Sequence, residues 1–174
     1  MQIRKNNSLV SRKTTSFCSL LLCIILASCG GGKLIEDYQP LTDNEWRAAD
    51  VRSFAFSIED NSQGYDLFFT VKNGLDYPFH NLYVDYKLYA VQNEQDSLIT
   101  TDLQECLLFD AKTGVPQGSG NSGWYSHEFL ILKNHQFSKP GTYEIRFQQY
   151  MRRDALKEVA SVGFALAKHN PDPR

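Results

Sequence analysis

Basic runs, paired cysteines, long apolar segments and helical periodicity are all scarce in this chain, and each shortage removes a class of protein. Of 174 residues only 18 are Lys or Arg against 20 Asp or Glu, a formal charge of −2. Four of those bases, Arg4, Lys5, Arg12 and Lys13, lie in the first 28 residues, which hold no acid; setting them aside leaves 14 bases against 20 acids, a balance of −6. A net-negative body without a basic run lacks the clustered cations that displace counterions from phosphates, which excludes nucleic acid as a partner. The apolar run Phe17 to Ala27 has 11 residues, against the roughly 20 needed to cross a bilayer as a helix. The four histidines, His80, His127, His135 and His169, offer no pair at i, i+2 or i, i+4 spacing, so no two imidazoles are presented to one metal, and no metal or other cofactor is expected. With 42% hydrophobic and 13% aromatic residues, and few prolines and glycines, the chain has enough apolar surface to order most of itself.

What is present begins with a leader. A basic head, the apolar run and Leu26-Ala27-Ser28-Cys29 follow in the order of a secretory signal peptide. The tetrapeptide resembles the lipobox of bacterial lipoproteins, in which the cysteine sulfur takes a diacylglycerol thioether and the new amino end is acylated. Cleavage before Cys29 and lipidation of Cys29 are expected, and several acyl chains hold a protein on a membrane far more firmly than one. Cys18 and Cys23 leave with the leader and Cys29 carries lipid, so Cys106 stands alone in an apolar stretch. That rules out an internal disulfide and points to a buried, inert thiol. The expected organisation is a lipoprotein signal peptide over 1–28, the lipidated cysteine with a Gly30-Gly31-Gly32 tether and a partly ordered arm over 29–50, one folded domain over 51–168, and a disordered tail over 169–174.

From Val51 onward apolar residues recur with a period of two. Phe54, Phe56 and Ile58 alternate with Ser53, Ala55 and Ser57, Leu67, Phe69 and Val71 with Phe68, Thr70 and Lys72, and Leu82, Val84, Tyr86 and Leu88 with Tyr83, Asp85, Lys87 and Tyr89. That period belongs to half-buried strands. Further runs near 98–109, 125–133, 142–151 and 160–168 bring the expected count to seven or eight strands. They are separated by turn-forming segments such as Asn73-Gly74, the glycine-rich stretch Gly114 to Gly123, and Lys139-Pro140-Gly141. Only Arg152 to Val159 has room for a helical turn or two. Regular strands without long helices predict an all-β antiparallel sandwich, immunoglobulin-like or jelly-roll-like, with a closed barrel as the alternative.

Motifs for chemistry are absent. Gly118-Ser119-Gly120-Asn121-Ser122-Gly123 lacks the Gly-Lys-Ser/Thr ending and following helix of a phosphate loop, and as a Gly-x-Ser-x-Gly nucleophile elbow Gly120-Asn121-Ser122 runs into Gly123-Trp124, without the last glycine in its place. The stretch therefore predicts a flexible inter-strand loop, and no catalytic residue is assigned. The aromatics Tyr77, Tyr83, Tyr89, Trp124, Tyr125 and Tyr150 are candidates for a face that docks protein or stacks on sugar, although packing and cross-strand pairs account for most tyrosines in β proteins. Asp96-Ser97-Leu98 is similar to an O-glycosylation acceptor of Bacteroidota, which makes Ser97 a candidate site.

Three stretches together resemble the gliding-motility lipoproteins of the GldH family of Bacteroidota. They are Tyr65 to Asn73 with Asp76-Tyr77-Pro78-Phe79 and Asn81-Leu82; the glycine-rich loop leading into Trp124-Tyr125; and Gly141-Thr142-Tyr143-Glu144-Ile145 with Gln149-Tyr150-Met151-Arg152, Leu156 and Val162-Gly163-Phe164. Lys157-Glu158 stands where the family pattern has a Gly, and Ser161 where an Asp usually precedes Val-Gly. The resemblance implies a non-enzymatic accessory or scaffold lipoprotein, associated with gliding motility and the type IX secretion apparatus. Its expected place is the outer membrane, facing the periplasm, because Gly30 to Lys33 lacks an acidic surface-export cluster. Its expected partners are the membrane, through the lipid, and gliding or secretion components of the envelope. The candidate contacts are Asn73, Asp76, Tyr77 and Asn81 in one turn region, Trp124, and Met151, Arg152 and Arg153 beyond a strand end. A glycan-binding envelope lipoprotein is the competing class.

Overall fold

The computed structural model describes residues 32–92 and 95–171; the leader, Cys29 and the last three residues lie outside them. The strands are β1 (Lys33–Pro40), β2 (Glu45–Arg47), β3 (Arg52–Ile58), β4 (Tyr65–Gly74), β5 (Asn81–Gln92), β6 (Gln95–Leu107), β7 (Ser119–Asn121), β8 (Trp124–His135), β9 (Gly141–Gln149), β10 (Ala155–Lys157) and β11 (Val159–Lys168). They form a five-stranded sheet, β1-β11-β4-β8-β7, a four-stranded sheet, β3-β9-β5-β6, and a small β10-β2 pair. All pairings are antiparallel. The fold is therefore the antiparallel sandwich that the two-residue period demands.

The alternating faces meet as expected. Phe54, Phe56 and Ile58 on β3, Val84, Tyr86 and Leu88 on β5, and Ile145 and Phe147 on β9 are buried; Leu67, Phe69 and Val71 on β4 and Val162, Phe164 and Leu166 on β11 are their counterparts. Aromatic rings bridge the sheets: Phe56 and Phe164 lie 4.9 Å apart between centroids, as do Phe69 and Phe147. Such ring pairs add directional attraction to the burial of apolar area.

Four expectations need correction. The arm expected over 29–50 is, from Lys33 onward, part of the body: β1 pairs with β11 along Lys33 to Pro40, and Leu41 and Trp46 are buried in the core. Trp46 lies stacked on Phe69 with centroids 6.3 Å apart, and its indole Nε1 donates to the Asp50 carbonyl at 2.8 Å. The segment's apolar residues are widely spaced, which hid their common burial. The count of seven or eight strands rises to eleven among the described residues because β1 and the three-residue β2, β7 and β10 were not read from the pattern. The expected helical turn after Arg152 is a bend leading into β10, whose Leu156 pairs with Trp46. The glycine-rich loop contains a β7–β8 hairpin whose turn, Ser122-Gly123, has φ of 54° and 84°, the left-handed pair of a type I′ turn.

The start of the tail is also anchored: the His169 N–H donates to the Gly64 carbonyl at 2.8 Å and its ring Nδ1 lies 2.9 Å from Asp66 Oδ1. Register gives the sandwich two poles. The pole at which β1 begins gathers Lys33, Ala167, Lys168, Tyr65 and His135, which are paired across β1, β11, β4 and β8. The opposite pole carries the segments 75–80, 108–118 and 150–154.

Candidate docking site

At this second pole, on the outer face of the four-stranded sheet, lies a hollow of about 650 Å³ lined by Phe79, Tyr83, Leu103, Tyr150, Met151, Arg152 and Arg153. Its geometry depends on Gln149, which ends β9 with only 2% exposure. A buried amide needs partners on both of its ends. Gln149 finds them in the turn that follows: its Oε1 accepts from the Met151 N–H at 2.8 Å and its Nε2 donates to the Arg153 carbonyl at 2.9 Å. Tyr150 N–H donates to the Tyr83 carbonyl at 2.8 Å, and the Tyr83 N–H meets the Met151 sulfur at 3.4 Å. The turn thus tucks Met151 inward and leaves Tyr150 65% exposed.

Arg152 and Arg153 are exposed at its rim and make no ion pair among the described residues. An apolar floor beside unpaired guanidinium groups suits an aliphatic or aromatic side chain next to a carboxylate. Glu105 stands near the same face, where Asn81 Nδ2 donates to its Oε1 at 2.6 Å. That bond and a second from Tyr83 hold the Glu105 carboxyl below its ordinary pKa.

The turn-region candidates divide. Asp76 is exposed. Asn73 is fully buried and Tyr77 nearly so, so neither is a surface contact as expected. Asn73 Nδ2 donates to the Gly74 carbonyl, and Tyr77 Oη donates to the Asn81 carbonyl at 3.2 Å. Burial pushes the Tyr77 hydroxyl pKa upward. These polar groups shape the turn from inside, where a sequence reading takes Asn and Tyr for surface. Trp124 pairs with Gly74 and Asn121 and is half-buried, away from the hollow. Met151 and Arg152 do line it, joined by Tyr83 and Tyr150 from the aromatic set. Leu103 and the organising role of Gln149 were missed; a lone apolar residue on an edge strand and a lone amide leave no periodic signal.

Two further groups, Cys106 and His127, are buried. Cys106 is a free thiol whose pKa desolvation raises. His127 sits in a second hollow of about 700 Å³ with Gly118 and Phe129, stacked on the Phe129 ring at 6.1 Å. Burial lowers its pKa to about 4, so it is neutral near pH 7. Among the described residues no group of three or more His, Cys, Asp or Glu is placed to hold a metal.

The family model of the GldH lipoprotein matches residues 33–166. Two relatives are each 23% identical: a gliding motility lipoprotein GldH homolog of Christiangramia forsetii, covering 87% of this chain and 94% of the relative, and gliding motility lipoprotein GldH of Flavobacterium johnsoniae, covering 84% and 92%. Among solved structures, one of the infectious bursal disease virus Gx strain overlaps 80% of this chain and 33% of its own, at 13% identity and a TM-score of 0.31, too low to carry a relationship. The family match runs from the first residue of β1 to within two residues of the end of β11, and the chain belongs to the GldH lipoprotein family.

Proposed function

We propose that this protein is a non-enzymatic envelope lipoprotein that serves gliding motility and the linked type IX secretion apparatus as an accessory or scaffold component. In this reading Cys29 carries diacylglycerol and an amide-linked acyl chain such as palmitate. It sits in the outer membrane on the periplasmic side. The observation that carries the reading is the opposition of tether and hollow. Cys29 precedes Lys33, the first residue of β1, by four positions, a span of at most about 14 Å, so the first pole lies against the lipid. The hollow of Tyr83, Met151 and Arg152 then faces away from the membrane, where a protein partner can reach it. Confinement to a surface raises effective concentration and strengthens modest contacts.

The test is cross-linked recovery of partners from the native host, comparing the full chain with Cys29→Ser and with Tyr150→Ala/Arg152→Glu. Loss of gliding or secretion components with either variant, while each stays folded, supports the reading. Unchanged recovery from the second variant removes the hollow from it. The glycan-binding alternative keeps one favourable observation, the exposed Tyr150 beside Tyr83; polysaccharide binding lost in Tyr150→Ala would replace the scaffold reading. Ser97 is exposed on β6 and is the position at which intact-mass analysis would reveal an O-glycan.

A further inference from the structure

Among the described residues the sheet edges differ in how they are guarded. β7 has three residues and covers only Trp124 to Ser126 of β8, whose remainder, His127 to His135, is nine residues long and carries Lys133. β1 carries Lys33, Glu36 and Asp37 and ends at Pro40, and β3 lies beside it, with Gln39 Nε2 donating to the Ser53 carbonyl at 2.7 Å. β6 is different. It is an outermost strand of 13 residues, paired only with β5, and it contains no lysine, arginine or proline, the residues that usually guard an edge. It exposes Leu98, Ile99, Leu103 and Leu107 at 51%, 41%, 47% and 46%. A single register break, opposite Leu88 and Tyr89, interrupts it.

We infer that the free edge of β6 is a strand-addition site for an extended segment of alternating apolar and basic residues from another protein. Strand addition draws affinity from main-chain N–H and C=O groups and selectivity from alternating side chains. β6 supplies both: among the described residues its outer N–H and C=O row has no strand beside it. Only its own side chains reach back, with the Leu103 N–H donating to Asp102 Oδ1 at 2.8 Å and Gln104 Nε2 to the Glu105 carbonyl at 2.7 Å. Leu103, Glu105 and Leu107 share one face while Asp102 lies on the other. The charge settles the occupant. Asp96 is already paired with Arg146, whereas Asp102 and Glu105 are exposed and hold only neutral donors, the Leu103 N–H on Asp102 and Asn81 and Tyr83 on Glu105, and β6 holds no cation of its own. The β6 of a second copy laid against β6 therefore offers those carboxylates no countercharge in any register, while lysine or arginine on an incoming strand does. The site adjoins the hollow and shares Leu103 with it, but strand addition uses the backbone edge, which the hollow does not.

Hydrogen exchange read by mass spectrometry on the full, lipidated chain in non-ionic detergent tests this, with a short peptide of alternating lysine and valine as the probe. The probe is expected to slow exchange across 96–107 by roughly tenfold or more. A glutamate–valine peptide, and a lysine peptide with proline replacing valine, should leave that segment unchanged. Asp102→Lys should weaken probe binding by about fivefold. Equal protection by the glutamate peptide, or none in β6 from the lysine peptide, overturns the proposal. Protection of β6 without any peptide, together with a dimer mass in light scattering, overturns it in favour of a second copy.

Discussion

β1 and β6 are the outermost strands of opposite sheets, and they solve the same problem in contrary ways. β1 is short, charged, closed by a proline and bound to the neighbouring sheet through Gln39 and Ser53. Lys33 is ion-paired with both Glu36 and Glu128, which raises its pKa. β6 is longer, lacks any base and shows four apolar side chains to solvent. The contrast teaches that exposure alone does not identify a docking edge. What separates the two strands is what uses the edge: the neighbouring sheet reaches β1 through Gln39 and Ser53, whereas on β6 only the strand's own Asp102 and Gln104 side chains bond its Leu103 N–H and Glu105 carbonyl.

The largest test of that contrast falls on the segment after β1. If β1 and its continuation belong to the body, Trp46→Ala removes a fully buried ring from Phe69 and an indole hydrogen bond to Asp50. The expected cost is about 3–5 kcal/mol, measured by urea unfolding. A loss under about 1 kcal/mol would make this segment an appendage and place β1 in the same class as β6.

A smaller effect, dependent on pH, tests the far side, where His127 lines the same hollow as Leu107 at the end of β6. Its folded pKa of about 4 lies below the ordinary 6.5 because burial disfavours the imidazolium. Between those values the unfolded chain binds the proton and the folded one does not. This contribution is therefore complete above pH 6.5, falls as pH drops towards 4, and is flat below that. The full loss is of order 2–3 kcal/mol. His127→Phe, which keeps a ring on Phe129, should flatten that part of the profile of melting temperature against pH. An unchanged slope would assign the acid sensitivity elsewhere.

Much of the sandwich was legible because its central strands bury one face: Leu82, Val84, Tyr86 and Leu88 announce themselves by period alone. β1 was not, because nearly all of it is exposed and its pairing with β11 depends on partners 120 and more residues away. The site was half legible. Met151 and Arg152 came from the resemblance and Tyr83 and Tyr150 from aromatic content, but their convergence depends on Gln149 bonding both sides of a turn. Asn73 and Tyr77 misled for the converse reason: turn-forming polar residues look alike in sequence whether they face water or are satisfied inside.

The smallest expected effect is also the sharpest discriminator, because Tyr38 on β1 and Leu98 on β6 are equally exposed, at 51% each. Tyr38 pairs across the ladder with Gly163. A side chain at Gly163 would come within 2.6 Å of the Tyr38 ring and of the Asp37 carbonyl, so the ring itself packs over the glycine, as aromatics do where a strand has no side chain to offer. Its hydroxyl also donates to Glu36. Leu98 pairs with Tyr89, but that ring already lies under the Arg146 guanidinium, 4.3 Å from its centroid. Tyr38→Ala should therefore cost about 1 kcal/mol, while Leu98→Ala stays within about 0.5 kcal/mol, both by urea unfolding. Equal costs would mean that the leucines of β6 stabilise the fold as β1 does, leaving no apolar edge in reserve for a partner.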